Sequence, residues 1–228
     1  TIATAGNNLT LDAGTAGNVT LSGNLTGKGA MTVRDGAVQS YQVLTVDSLD
    51  IQDATTSVTL NQALTTDGAV NIDSGGTIAI NGAINTSSSS SGTVDIDGTG
   101  TTTIAAAGDI NAGGAVAFGA SKTGTLTTSG DIDTSNDNIT FTRAVTLGGN
   151  VDIDTTGASA GNIVFSSTIA TAGNNLALDA GTAGNVTLSG NLTGGGAMTV
   201  RDGAVQSYRV LTVDSLDLQD ATTSVTVN

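Results

Sequence analysis

Two nested repeats constrain this chain more than any other feature. Residues 1–61 recur at 168–228, an offset of 167, and the copies differ at Thr10/Ala177, Lys28/Gly195, Gln42/Arg209, Ile51/Leu218 and Leu60/Val227 alone. A finer period runs inside the long unit. Seven heptapeptides begin with an apolar residue and carry another six residues later: VTLSGNL (19–25), VTLNQAL (58–64), IAINGAI (78–84), IAAAGDI (104–110), LTTSGDI (126–132), VTLGGNV (145–151) and IVFSSTI (163–169). With an irregular member near Val43, the lead-to-lead spacings run from 15 to 26 residues and close at Val186. The 167 residues therefore read as eight turns averaging about 21 residues.

Alternation such as Val19-Thr20-Leu21 puts two side chains on one face of a strand and a Thr on the other. Gly occupies position 5 in five heptapeptides (Gly23, Gly82, Gly108, Gly130 and Gly149), where a sharp corner at positive φ is expected. Position 7 starts a second short strand, and a third inward pair follows, as in Met31/Val33, Val70/Ile72 and Val116/Phe118. Three short strands per turn describe one coil of a parallel β-helix, an all-β solenoid. A lone coil cannot bury its inner face, so equivalent strands stack about 4.8 Å apart. Val19, Leu21, Val58, Leu60, Ile78, Ile80, Val145, Leu147, Ile163 and Phe165 are expected to point inward in one file per position. An antiparallel β-sandwich is the competing fold, but its strands differ with their place in the sheet, and here one motif recurs throughout. Ser87–Ser91, in the longest turn, reads as an extruded polar loop.

Residues 1–167 are one full unit and 168–228 the start of the next, continuous in a single solenoid. Thr168 follows IVFSS without a break, so residue 1 falls inside a structural unit. The expectation is a chain cut from a longer tandem array, with signal, anchor and export segments elsewhere.

Composition excludes most chemistry. There is no His and no Cys, so neither nucleophilic triads, ordinary zinc sites nor disulfides are available. Six Lys and Arg under a net charge of −14 give no electrostatic footprint for nucleic acid or an anionic bilayer. No apolar run is long enough to insert into a membrane. Tyr41, Tyr208, Phe118, Phe141 and Phe165 are the whole aromatic complement, too few to line a ligand pocket.

The Asp pairs are the most tempting chemistry: Asp95/Asp97 and Asp152/Asp154 in VDID, Asp131/Asp133 in GDID, Asp50/Asp53 in LDIQD. Alternation sends both carboxylates of a VDID outward, where they could act as a glycosidase pair or calcium ligands. The simpler reading is strand ends and fibre solubility, since the pairs are scattered and no Arg sits beside them. Asp131, Asp133, Ser135 and Asp137 have calcium-loop spacing, but Asn136 and Thr142 stand where an EF-hand needs Gly and Glu. Gly-rich GTGTTT (98–103) and GKGAMT (27–32) lack phosphate-loop order and read as turns. Outward Thr in TTT (101–103) and TLTT (125–128) resembles an ice-binding ladder, but unequal coil lengths argue against a long flat lattice. Asn-x-Thr at Asn8, Asn18, Asn24, Asn138, Asn185 and Asn191 follows from composition. Tyr41 and Tyr208 read as corner packing, and the six cations as solvated surface charges. No catalytic, cofactor-binding or metal residue is assigned.

Stretches such as 136–165 (NDNITFTRAVTLGGNVDIDTTGASAGNIVF), 6–27 and GAVQSYQVLTVDS (36–48) resemble the repeats of large bacterial exoproteins of the filamentous haemagglutinin type. The resemblance implies a right-handed parallel β-helix, export to the bacterial surface, and service as the shaft of an adhesin or fibre. The function expected is therefore structural and non-catalytic, in an extracellular filament. The alternative is a carbohydrate-binding or carbohydrate-active β-helix protein. Partners expected are the adjacent repeats, further copies joined end to end or laterally, and a surface receptor or glycan.

Overall fold

The computed structural model describes residues 1–119, 124–155 and 161–228. Among the described residues every strand ladder is parallel, which rejects the antiparallel sandwich, and the chain winds as a right-handed β-solenoid of about 10 coils of roughly 22 residues. Each coil has three faces, visited in the order 1, 2, 3. The first inward positions of face 1 run Val19, Gln39, Val58, Ile78, Thr102, Leu126, Val145, Ile169 and Leu192. Face 3 runs Leu9, Met31, Leu49, Val70, Val94, Val116, Ile139, Ile163 and Val186, then Gln206 and Val225. Face 2 includes Leu25, Leu44, Leu64, Ile84, Ile110, Ile132, Val151/Ile153, Leu176 and Met198.

The apolar alternation is realised as expected. Val58, Leu60, Ile78, Ile80, Val145, Leu147, Ile163 and Phe165 are all buried, and so are the third pairs beginning at Met31, Val70 and Val116. Val19 is buried too, while Leu21 is half-covered and packs against the core edge. On face 3 the rings of Phe118, Phe141 and Phe165 stack in one column, with centroids 5.1 and 4.2 Å apart and planes within 6°. Parallel register makes this possible, because identical positions meet across every rung. Ser87, Ser88, Ser90 and Ser91 are exposed, as an extruded loop requires.

Three expectations need correction. The first is the single file. Ile163 does not stack on Val145; it stacks on Ile139, and Val145 is followed by Ile169. The heptapeptide pattern marks any tight corner: it turns face 1 into face 2 up to Val145, but face 3 into face 1 at Ile163. Second, the unit holds fewer than eight coils. Between Val19 and Val186 the chain takes twenty-three strand steps at three per coil, seven and two-thirds coils. The second copy is thus turned by a third of a revolution: Val19 lies on face 1 and Val186 on face 3, Leu9 on face 3 and Leu176 on face 2. Each copy nevertheless keeps its internal register, Val19 beside Gln39 as Val186 is beside Gln206, and Leu9 beside Met31 as Leu176 is beside Met198. Third, the position-5 glycines do not use positive φ. At three of them close backbone approach is the reason: a Cβ on Gly82 would lie 2.3 Å from the Gln62 carbonyl carbon, one on Gly108 2.6 Å from the Ile80 oxygen and one on Gly130 2.8 Å from the Ala105 oxygen, while Gly23 and Gly149 have no contact under 3.2 Å.

Candidate functional site

Face 2 carries the densest polar chemistry. The strands Ile132–Thr134 and Val151–Asp154 hold Asp133, Asp152 and Asp154 on its outer side, with Asp131 just before the first of them, Asp109 below and Asp179 above. Asp133 is in register with Asp154, and Asp154 with Asp179. The Asp109 carboxylate accepts the backbone N–H of Asp131 at 3.0 Å, and Asp131 accepts that of Asp152 at 2.8 Å. The Arg201 guanidinium grips Asp152 with two bonds, 3.1 and 2.6 Å. Beside them a depression of about 320 Å³ is lined by Asp131, Asn150, Asp152, Asn175 and Thr199. Among the described residues no three acidic side chains are placed to hold a metal ion. Asp133 lies in the strand Ile132–Thr134 with Asp131 just before it, and Asp137 lies beyond a corner where Thr134 donates to its carbonyl at 2.6 Å.

Burial, then the charges of Asp154, Asp131, Asp152 and Asp109, push the Asp133 carboxyl up to about 6 from an ordinary 3.8. The folded state therefore binds a proton that the unfolded chain has released in the window from about 4 to 6. Stability from this group rises as pH falls through 6 and is lost as pH rises through it. Thermal melts should show a higher Tm at pH 5 than at pH 7, and Asp133→Asn should raise the pH 7 value and shrink the difference. An unchanged pH dependence in that variant would remove Asp133 as the source.

The pair Asp95/Asp97 corrects two sequence readings. Asp95 is half-buried on the outer side, but Asp97 turns inward and is only 6% exposed. An arginine does sit beside it. Arg143, 4% exposed, reaches Asp97 at 3.5 Å, donates to Thr102 Oγ1 at 3.0 Å and to the Ile96 carbonyl at 3.3 Å. Gly119 makes room for it, since a Cβ there would lie 2.4 Å from Arg143 Nε. Burial lowers the arginine pKa, opposed by Asp97 and Asp95. The cations are thus not all solvated: Arg143 is internal and Arg201 is paired, while Lys122 lies outside the described residues. Arg143 stands in the short connection between the strands Ile139–Phe141 and Val145–Leu147, where its neighbour Thr142 is exposed and Arg143 itself turns inward.

Tyr41 and Tyr208 are buried, and each donates its hydroxyl to a buried glutamine, Gln39 at 2.7 Å and Gln206 at 3.0 Å. They are packing residues. Several asparagines have a role that sequence reading missed. Asn138 accepts the N–H of Asn162 at 2.8 Å, Asn162 that of Asn185 at 2.9 Å, and Asn185 that of Val205 at 3.1 Å. Asn8 and Asn18 do the same for Ala30 and Val38. Their recurrence just before a strand was the available signal.

No family model, no curated protein and no solved structure matches the chain.

Proposed function

We propose that this chain is a length of stiff, non-catalytic shaft in a repetitive adhesin or fibre on a bacterial surface. The observation that carries the reading is continuity. The ladders Ile139–Ile163–Val186 and Val145–Ile169–Leu192 pass through the boundary at residues 167 and 168 with no break in register. A core that repeats without a hinge transmits position along its axis, as a spacer must. The resemblance of the repeats to those of filamentous haemagglutinin-type exoproteins supports the same reading. Antibody raised against the chain should label intact producing cells, and the labelled structures should be straight rods under the electron microscope. Labelling only after permeabilisation, or a hinge recurring at each unit, would reject it.

The second reading, carbohydrate binding, is favoured by the Asp- and Asn-lined depression on face 2, which suits sugar hydroxyls. Binding on a glycan array that disappears in Asp131→Ala would move the function there.

A further inference from the structure

Face 1 differs from its neighbours in chemistry. Its central outward positions are Thr20, Ser40, Thr59, Ala79, Thr103, Thr127, Thr146, Ala170 and Thr193, side by side on nine successive rungs. A second column beside it includes Val38, Ser57, Thr77, Thr101, Thr125, Ala144 and Thr168, in which the Thr101 and Thr125 hydroxyls meet at 3.3 Å. Unequal coil lengths do not disturb these columns, because the extra residues leave at the corners. The strand positions of this face, from 18–22 to 191–195, include no charged residue, although the chain has 26. Face 3 carries Asp50 and Asp95 and face 2 carries Asp133 and Asp154 at equivalent outward positions; face 3 is uncharged from Ala117 to Ser207, so face 1 alone lacks charge on all nine rungs. Val38, 37% exposed, lies on the uncharged face.

We propose that face 1 is the surface on which two copies of this chain associate side by side. Two molecules of charge −14 repel each other across faces 2 and 3, and least across the face from which charge is excluded. Short methyl- and hydroxyl-bearing side chains let the sheets approach closely, and Thr–Thr contacts are available in either orientation. Nine rungs and three outward positions give a patch about 38 Å by 13 Å, or about 1,000 Å² buried in total, the lower bound for a specific interface. A two-fold contact is self-complementary, and Thr103, on the fifth of the nine rungs, meets its own counterpart whether the shafts run parallel or antiparallel.

Sedimentation velocity over a concentration series should show a monomer–dimer equilibrium that strengthens with added salt. Thr103→Lys/Thr127→Lys should weaken it about tenfold or more. Ala117→Lys/Thr140→Lys on face 3, with the same change in net charge, should not, and circular dichroism checks that both pairs fold. Thr103→Cys should form an intermolecular disulfide on oxidation. A species monomeric throughout, or association that survives Thr103→Lys/Thr127→Lys as open-ended growth, overturns the proposal. So does a monomer whose adsorption to ice or crystalline polysaccharide is lost in that same variant, because the face then has a different occupant.

Discussion

Ile80→Asp is expected to destabilise the solenoid by about 4 kcal/mol or more. Ile80 is fully buried between Leu60 and Ile104, and nothing in that file can pair with a carboxylate. The charge must either be desolvated or the coil must open, and a split coil leaves neighbouring coils without cover on one side. Denaturant midpoints measure it. Ala79→Asp, one residue earlier on the outer side, should stay within about 0.5 kcal/mol of the parent, and Ile80→Val should cost about 1 kcal/mol. If Ala79→Asp were the damaging change and Ile80→Asp the tolerated one, the register of face 1 would be inverted.

Arg143→Met should cost about 3 kcal/mol, although it substitutes an apolar side chain into an apolar interior. Removing the guanidinium leaves Asp97 with an ion-pair partner missing and takes the donor from Thr102 and the Ile96 carbonyl. Combining Arg143→Met with Asp97→Leu should recover part of the loss, because a buried pair and its apolar replacement differ less than either differs from a broken pair. Equal losses in the single and double variants would mean that Arg143 stabilises by packing alone.

Strand identity was legible wherever side-chain alternation was strict. Val58/Leu60 beside Ile78/Ile80 could be read directly, because one register puts all four in the core and a one-residue slip puts all four in water. Which face a strand belongs to was not legible. Val145 and Ile163 open heptapeptides of the same apolar spacing, and only the intervening strand Val151–Asp154 shows that they stand two-thirds of a coil apart. The role of Gly82, Gly108 and Gly130 was not legible either, since close approach of distant backbone leaves no mark in a single turn of sequence. Of the polar features, the Asp ladder on face 2 was visible as VDID and GDID pairs. The inward turn of Asp97 was not, because alternation predicts the opposite and its partner Arg143 is 46 residues away.

The third-of-a-turn offset between the duplicated segments turns a linear repeat into a spiral. In the longer array proposed above, succeeding units would advance about 37 Å and step around the axis, so any one outward side chain would recur at the same compass bearing once in about 110 Å. A rod built from such units has no front and no back: whatever one unit shows to the north, the next shows a third of the way round. Neighbouring rods joined through their uncharged flanks could share only about one unit before that flank rotates toward another neighbour. The sequence period would then set the weave of an open lattice, in which each rod touches several others briefly, where a repeat of eight whole coils would zip pairs into ribbons.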